Sequence, residues 1–400
     1  MSSQFKQTLV MTKANILSLR RRFAIATSMV LSVALVVCVL AGFLSMAAGF
    51  EKALKSAGSP TVAVILGGGT NQENGSDVPA DVVRTIEAMR GDIGVARDTV
   101  GNFAASREIV VPVEVLNSRA EAAKMLALRG MDAAGPSLRD GVILTAGRFV
   151  RPGAREVVVG ERLAAEFPAL AIGQQMRLGP VNWTVVGHFS SGGNAFESEI
   201  WADLDTVRSA FDRLGEVQSL RLRLEAPGAI DKLKTALESI STTPLNAVTE
   251  ADLYAAQSSG MANLIRMFGW PLALLMALGA TAGALNTMMS SVSDRTVEIA
   301  TVRALGFSRL SAFIATWAEA VALAATGVIF GLAASWLVFN GWQASTIGAN
   351  NASMSFQLTI DESVLLTAGL LGLAIGVVGG AFPAFSATRL PLTAALRARG

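Results

Sequence analysis

The chain is 400 residues long, with 52% hydrophobic and only 16% charged residues, against about 25% charged in an average soluble domain, and its mean hydropathy is +0.48. An ordinary water-soluble enzyme is therefore excluded, and a net charge of +2 supplies no overall field for nucleic acid. One cysteine, Cys38, precludes an intramolecular disulfide, and one histidine, His188, leaves no Cys/His cluster for structural zinc.

Residues 1–22 are assigned a helix on the cytoplasmic side, ending in the basic run Arg20, Arg21 and Arg22. Residues 23–50 carry no Asp, Glu, Lys or Arg. They far exceed the ~7–15-residue core of a secretory signal and are long enough to cross a bilayer, which takes about 20 apolar residues. Cys38 within this run reads as a small apolar filler.

Residues 51–260 have ordinary globular polarity and are read as a mixed α and β domain. Leu220, Leu222 and Leu224 alternate with Arg221 and Arg223, the period-2 pattern of a half-buried strand. Pro227-Gly228 breaks it, and Ile230, Leu233, Leu237 and Ile240 then recur at helical spacing, with a further strand expected near Leu245–Val248. EIVVPVEVL and REVVVG are strand-like, and QMRLGPVNWTVVGHF is predicted to form a hairpin turning at Gly179-Pro180. His188 follows a strand and reads as a surface or hairpin residue. Gly67-Gly68-Gly69 reads as a surface turn, because no lysine stands in the G-K-[ST] context of a phosphate loop. Both ends of the domain are predicted helical, forming a stalk with the adjoining spans.

Three further spans follow, at residues 261–291, 310–339 and 363–388, with Pro271 a candidate kink and Glu319 the lone ionisable residue of the third span. Lys and Arg cluster before the first span, between the second and third (Arg295, Arg303, Arg309), and after the fourth (Arg389, Arg397, Arg399), whereas residues 340–362 have none. The excess of Lys and Arg marks the cytoplasmic side. Both termini and residues 292–309 are thus expected inside, with residues 51–260 and the loop 340–362 outside. The fold class is an α-helical membrane protein with four transmembrane helices and a large α+β periplasmic domain inserted between the first and second.

Between the second and third spans, VSDRTVEIATVRALGFSRL predicts a short amphipathic helix on the membrane surface. Asp294 is expected to cap its start and Gly306 to end it. Gly279/Gly283, Gly327/Gly331 and Gly372/Gly376/Gly380 stand at four-residue spacing, as in faces where helices approach closely. Glu319 lies ten residues beyond Arg309, about 15 Å into its helix. It should therefore face protein, either as a conformational or packing latch or as a protonated carboxyl hydrogen-bonded to a neighbouring helix.

SDRTVEIATVRALGFSR closely resembles the coupling segment of MacB/FtsX-type ABC transporter permeases. The pattern is matched by Arg295, Glu298, Ile299, Arg303, Ala304, Leu305, Gly306, Ser308 and Arg309. The family's third-span Glu is matched by Glu319, and its C-terminal pattern by Pro383, Ala387, Pro391, Ala394, Leu396 and Arg397. GRFVRPGAREVVVGERLAAEF followed by VGHF is similar to the family's periplasmic core.

The resemblance implies a non-enzymatic membrane subunit of the bacterial inner membrane, working as a dimer, most simply a homodimer, with two copies of a separate ATP-binding subunit. ATP and Mg would be bound by that subunit, and no cofactor or metal by this chain. A periplasmic adaptor, an outer-membrane channel and membrane lipid are further implied partners. Cargo would be a peptide, a lipid-like compound or a small amphipathic molecule. The alternatives are a lipoprotein-release permease and an FtsX-like regulator of a cell-wall hydrolase. The coupling contact is assigned to Asp294, Arg295, Glu298, Ile299, Val302, Arg303, Leu305 and Gly306, with Ile299, Val302 and Leu305 filling a groove on the ATPase.

Overall fold

The computed structural model describes residues 2–89, 91–98, 100–117, 122–240, 244–348 and 350–389. The C-terminal pattern beyond Arg389, with Pro391, Ala394, Leu396 and Arg397, and the basic residue Arg399 lie outside them. The chain divides into two compact units: residues 1–48, 263–342 and 358–400 form one, and residues 49–262 with 343–357 the other.

The first unit is helical. After α1 (Ser2–Ser18) come α2 (Phe23–Lys55), α7 (Glu250–Asp294), α8 (Thr296–Ala304), α9 (Arg309–Phe339) and α10 (Glu362–Thr388), of which residues 49–55 of α2 and 250–262 of α7 belong to the second unit. Four of these, α2, α7, α9 and α10, are long and apolar enough to cross a membrane. Their shared core joins Val33, Val37 and Leu40 of α2 to Ala277 and Ala284 of α7, Ala320 and Ala324 of α9, and Ala368 and Ile375 of α10. Small residues dominate the helix contacts, as expected where lipid offers no hydrophobic drive and close approach must bring the attraction. Ser308 caps α9 by accepting from the Ser311 amide at 3.1 Å, and Asp361 caps α10 by accepting from the Val364 amide at 2.9 Å. Helix α7 passes through Pro271 as one helix and begins at Glu250, while α2 continues to Lys55. Both stretches assigned to a stalk are thus helical.

The second unit is α+β. In chain order it holds β1 (Val62–Gly67), α3 (Ala80–Ala88), β2 (Ala105–Asn117), β3 (Ala122–Met131), β4 (Ile143–Gly147), β5 (Glu156–Gly160), α4 (Glu161–Glu166), β6 (Gln175–Leu178), β7 (Val181–Ser190) and β8 (Glu199–Asp203). After these come α5 (Leu204–Ala210), β9 (Ser219–Arg223), α6 (Ile230–Ile240), β10 (Leu245–Thr249), β11 (Gln343–Ile347) and β12 (Ser353–Gln357). Among the described residues, the first ten strands form one mixed sheet in the order β10-β1-β9-β2-β3-β8-β5-β7-β4, with β6 on β7. The pairs β3–β8 and β5–β7 are parallel. The β6–β7 hairpin turns at Gly179, whose φ of +63° is costly for a side-chain-bearing residue. Pro112 is accommodated inside β2 because pairing to β9 ends at Glu108, leaving one partner strand where a missing N–H is tolerated. His188 sits in β7, its Nε2 2.8 Å from the Leu170 carbonyl. Gly69 takes φ +82° in the turn after β1.

Two expectations are corrected here. Residues 340–362 are not a plain loop: β11 and β12 pair in register from Gln343↔Gln357 to Ile347↔Ser353. The hairpin belongs to the α+β unit, where Arg162 Nη1 donates to the Ser355 carbonyl at 2.8 Å and Ser198 Oγ accepts from the Ser355 amide at 3.0 Å. The second correction concerns β9, which is not half-buried. Leu220 and Leu222 enter the core with Ile65 and Leu233, yet Arg221 on the opposite face is equally enclosed, at 0% exposure.

Candidate functional site

Helix α8 is short, and a helix of nine residues is marginal alone in water. Its packing must hold it. The chain breaks from α7 at Arg295 (φ −105°, ψ 12°), which occupies the N-cap position without a side-chain cap bond. Asp294 ends α7 and is not the expected cap. The far end behaves as expected: Gly306, at φ +99°, donates its amide to the Arg303 carbonyl at 3.1 Å.

Arg295 is turned inward. Its Nη1 donates to Glu319 Oε2 at 3.0 Å, its Nε to Glu298 Oε2 at 3.3 Å, and its Nη2 to Asn15 Oδ1. One guanidinium thereby ties the break to α8, α9 and α1. Beside it, Arg22 Nη1 bonds the Ser291 carbonyl at 3.1 Å and the Ser291 hydroxyl at 2.8 Å, placing a cation on the last turn of α7. Arg303 Nη1 does the same for α10 through the Thr388 carbonyl at 3.1 Å. Helix α1 lies on the start of α9, with Met11 against Ala312 and Ala315, and Gln7 Oε1 accepting from the Ser308 amide at 3.3 Å.

These contacts reassign the predicted residues. Ile299, 7% exposed, packs on Val292 and Ala387. Val302 is half-buried beside Met11 and Phe307. Ile299 is thus turned into the helical unit, Val302 is only partly open, and Arg295 is not at the surface. Leu305 remains, 76% exposed. With Glu298 and Thr301, also exposed, it forms an open ledge on a helix whose other side is bound into the unit. Glu319 is buried against Arg295 and so faces protein.

Five of the seven singled-out glycines are at close approaches. A Cβ on Gly327 would come within 2.7 Å of the Val30 carbonyl, and on Gly331 within 2.7 Å of the Ala34 carbonyl. On Gly372, Gly376 and Gly380 it would meet Val328 and Val37, Ala324, and Ala320 at 2.5, 2.2 and 2.4 Å. Gly279 and Gly283 meet nothing within 4 Å and are exposed, so they form no packing face within this chain.

A second feature escaped sequence reasoning altogether. In the α+β unit, Arg129 of β3 bridges Glu73, Glu108 and Glu199 at 2.7–2.9 Å. Arg139 grips Glu108 with both Nη atoms at 2.9 and 2.7 Å. Arg221 of β9 donates to Glu108 at 2.9 Å, to Glu73 at 2.8 Å, to the Tyr254 hydroxyl at 3.3 Å, and to Glu250 at the start of α7. Burial alone would raise the Glu108 carboxyl, but Arg139, Arg221 and Arg129 outweigh it and hold it at about 2. Glu73 lies well below its ordinary value because Arg129 and Arg221 likewise overcome its burial. Among the described residues no group of His, Cys, Asp and Glu could hold a metal ion, and the carboxylates of this network are turned to guanidinium groups. The network is a structural tie. The only sequence signal for it was the Leu/Arg alternation of β9, which equally fits a solvated face.

Comparisons with known proteins match the chain in two parts. The family model of the MacB-like periplasmic core domain matches residues 25–240, more than half the chain, and that of the FtsX-like permease C-terminal domain matches residues 271–392. A macrolide export ATP-binding/permease protein MacB from Bdellovibrio bacteriovorus is 24% identical over 257 residues, 60% of this chain and 38% of the relative. The chain thus spans well under half the length of that relative. The solved periplasmic region of MacB from Actinobacillus actinomycetemcomitans is 12% identical, covering 50% of this chain and 93% of that one at TM-score 0.36. The extracellular domain of the ABC-type transporter YknZ from Gram-positive bacteria is also 12% identical, covering 47% and 100% at TM-score 0.35.

Proposed function

The chain belongs to the MacB/FtsX-type ABC transporter permeases, and from that membership we propose that it is the inner-membrane subunit that converts ATP hydrolysis by a separate subunit into movement of its periplasmic domain. Helices α2, α7, α9 and α10 cross the membrane, with both termini and α8 in the cytoplasm and residues 51–260 outside. The cargo is a peptide, a lipid-like compound or a small amphipathic molecule, passed to a periplasmic adaptor and an outer-membrane channel. Two copies of the permease work together, and ATP and Mg reside on the ATPase.

The observation that carries this reading is the ledge on α8. A helix fixed on one side by Ile299, Arg295 and Arg303, and open on the other at Glu298, Thr301 and Leu305, suits a partner that must push on the membrane helices. An exposed leucine at the centre of such a contact can act as a buried anchor, where truncation costs about 2 kcal/mol or more.

Co-purification with the cognate ABC ATP-binding subunit tests the reading. The wild-type chain should retain that subunit and hydrolyse ATP only in its company, whereas Leu305→Asp should lose it while unfolding like the wild type. Retention of the ATPase by Leu305→Asp, with normal hydrolysis, would remove the ledge from the contact.

A further inference from the structure

The break between α7 and α8 poses a mechanical problem. Force applied to a short helix after an uncapped break would be absorbed by bending at the break, unless something stiffens it. The residue at the break is Arg295, and its guanidinium bonds to α8, α9 and α1 together. Its side chain is 9% exposed and that of Glu319 is 2% exposed. The pair is thus formed where water screens little and where the loss of either partner would strand the other's charge. Asn15 accepts a third bond from the guanidinium on the side of α1, and Arg22 closes the last turn of α7 behind it.

We propose that Arg295 is a positioning residue for energy coupling: its buried bond to Glu319, completed by Asn15, locks α8 onto α9, so that motion imposed on α8 enters α9 as a rigid lever. It acts through α8 and is no part of the partner contact, which its burial rules out. The inference rests on the reading of α8 as the ATPase contact, and it assigns Glu319 the role of the lever's inner bearing. An alternative in which Glu319 only fills space would be indifferent to the sign of the charge opposite it. The locking role is not.

The experiment uses the full chain with its ATP-binding subunit in lipid nanodiscs, and reads hydrogen exchange with and without ATP. In the wild type, ATP should change the protection of α9 and of the periplasmic domain. Arg295→Gln should keep the ATPase bound and hydrolysing within about twofold of wild type, because Leu305 and Glu298 still form the ledge. Exchange in α8 should rise about tenfold or more, and the ATP-dependent change beyond α8 should vanish. The exchanged pair Arg295→Glu with Glu319→Arg should restore part of that change, since the new carboxylate also faces Glu298. Asn15→Ala removes a neutral partner only and should weaken it without abolishing it, which keeps the test usable if Arg295→Gln folds poorly. A full ATP-dependent response in Arg295→Gln, or in Asn15→Ala together with a charge exchange that restores nothing, would overturn the joint while leaving the ATPase contact standing. A wild-type chain that retains no ATPase would overturn the proposed function and this inference with it.

Discussion

Glu108 illustrates how much a single buried side chain can depend on its neighbours. Each of its oxygens accepts from guanidinium groups, drawn from Arg129, Arg139 and Arg221. A carboxylate whose folded pKa lies below its unfolded value contributes stability above the unfolded value and loses it as pH falls through the folded one. For Glu108 those limits are the ordinary 4.5 and about 2, and Glu73 shifts in the same direction. The contribution of Glu108 should therefore be flat above about pH 5 and disappear between about 4.5 and about 2, whereas Glu250, raised by its burial, works in the opposite direction above its ordinary value. Fluorescence of the enclosed Trp183 and Trp201 in the full chain offers the measurement, since Trp201 Nε1 itself bonds Glu199 at 2.8 Å. Glu108→Gln should lower neutral-pH stability by about 3–5 kcal/mol, the cost of stranding buried charge, and flatten the acid transition. An unchanged transition in that variant would show that the network is not what acid dissolves.

At the scale of elements, the helices were legible in the sequence because long charge-free runs admit few readings, and α9 and α10 fall within a residue of their expected starts. The glycine spacing was legible as a pattern, though not as to which helix each stripe meets. Gly376 faces Ala324 across α9 and α10, whereas Gly279 on α7 faces open space. Gly376→Val should therefore destabilise the helical unit by about 1–3 kcal/mol through overpacking, while Gly279→Ala should change it by less than about 0.5 kcal/mol. Thermal unfolding of the two variants in detergent is the comparison. Equal effects would mean that the open stripe is covered in the assembled protein. The β11–β12 hairpin was not legible, because QASTI and SMSFQ lack a strong alternation and gain their order from Ser198 and Arg162.

For the whole molecule, the proposed topology places residues near 200 and 230 outside and residues 294–309 inside. Cysteines introduced at exposed Asp231 and Thr301, in a Cys38→Ala background, should react with a membrane-impermeant thiol reagent from opposite faces of the inner membrane. Labelling of both from one face would contradict the orientation on which the coupling scheme depends. By itself, the sequence determined the four apolar spans, the mixed strands and helices between them, and the basic segments, because each is set by local composition and period. The bearing of each charged residue was decided only in three dimensions. Arg221 and Arg295 read as surface charges because periodicity records which face a side chain takes but not what covers that face. In the folded chain both are enclosed, one by Glu73, Glu108 and Glu250 and the other by Glu319 and Asn15, partners drawn from distant segments that no local pattern brings together.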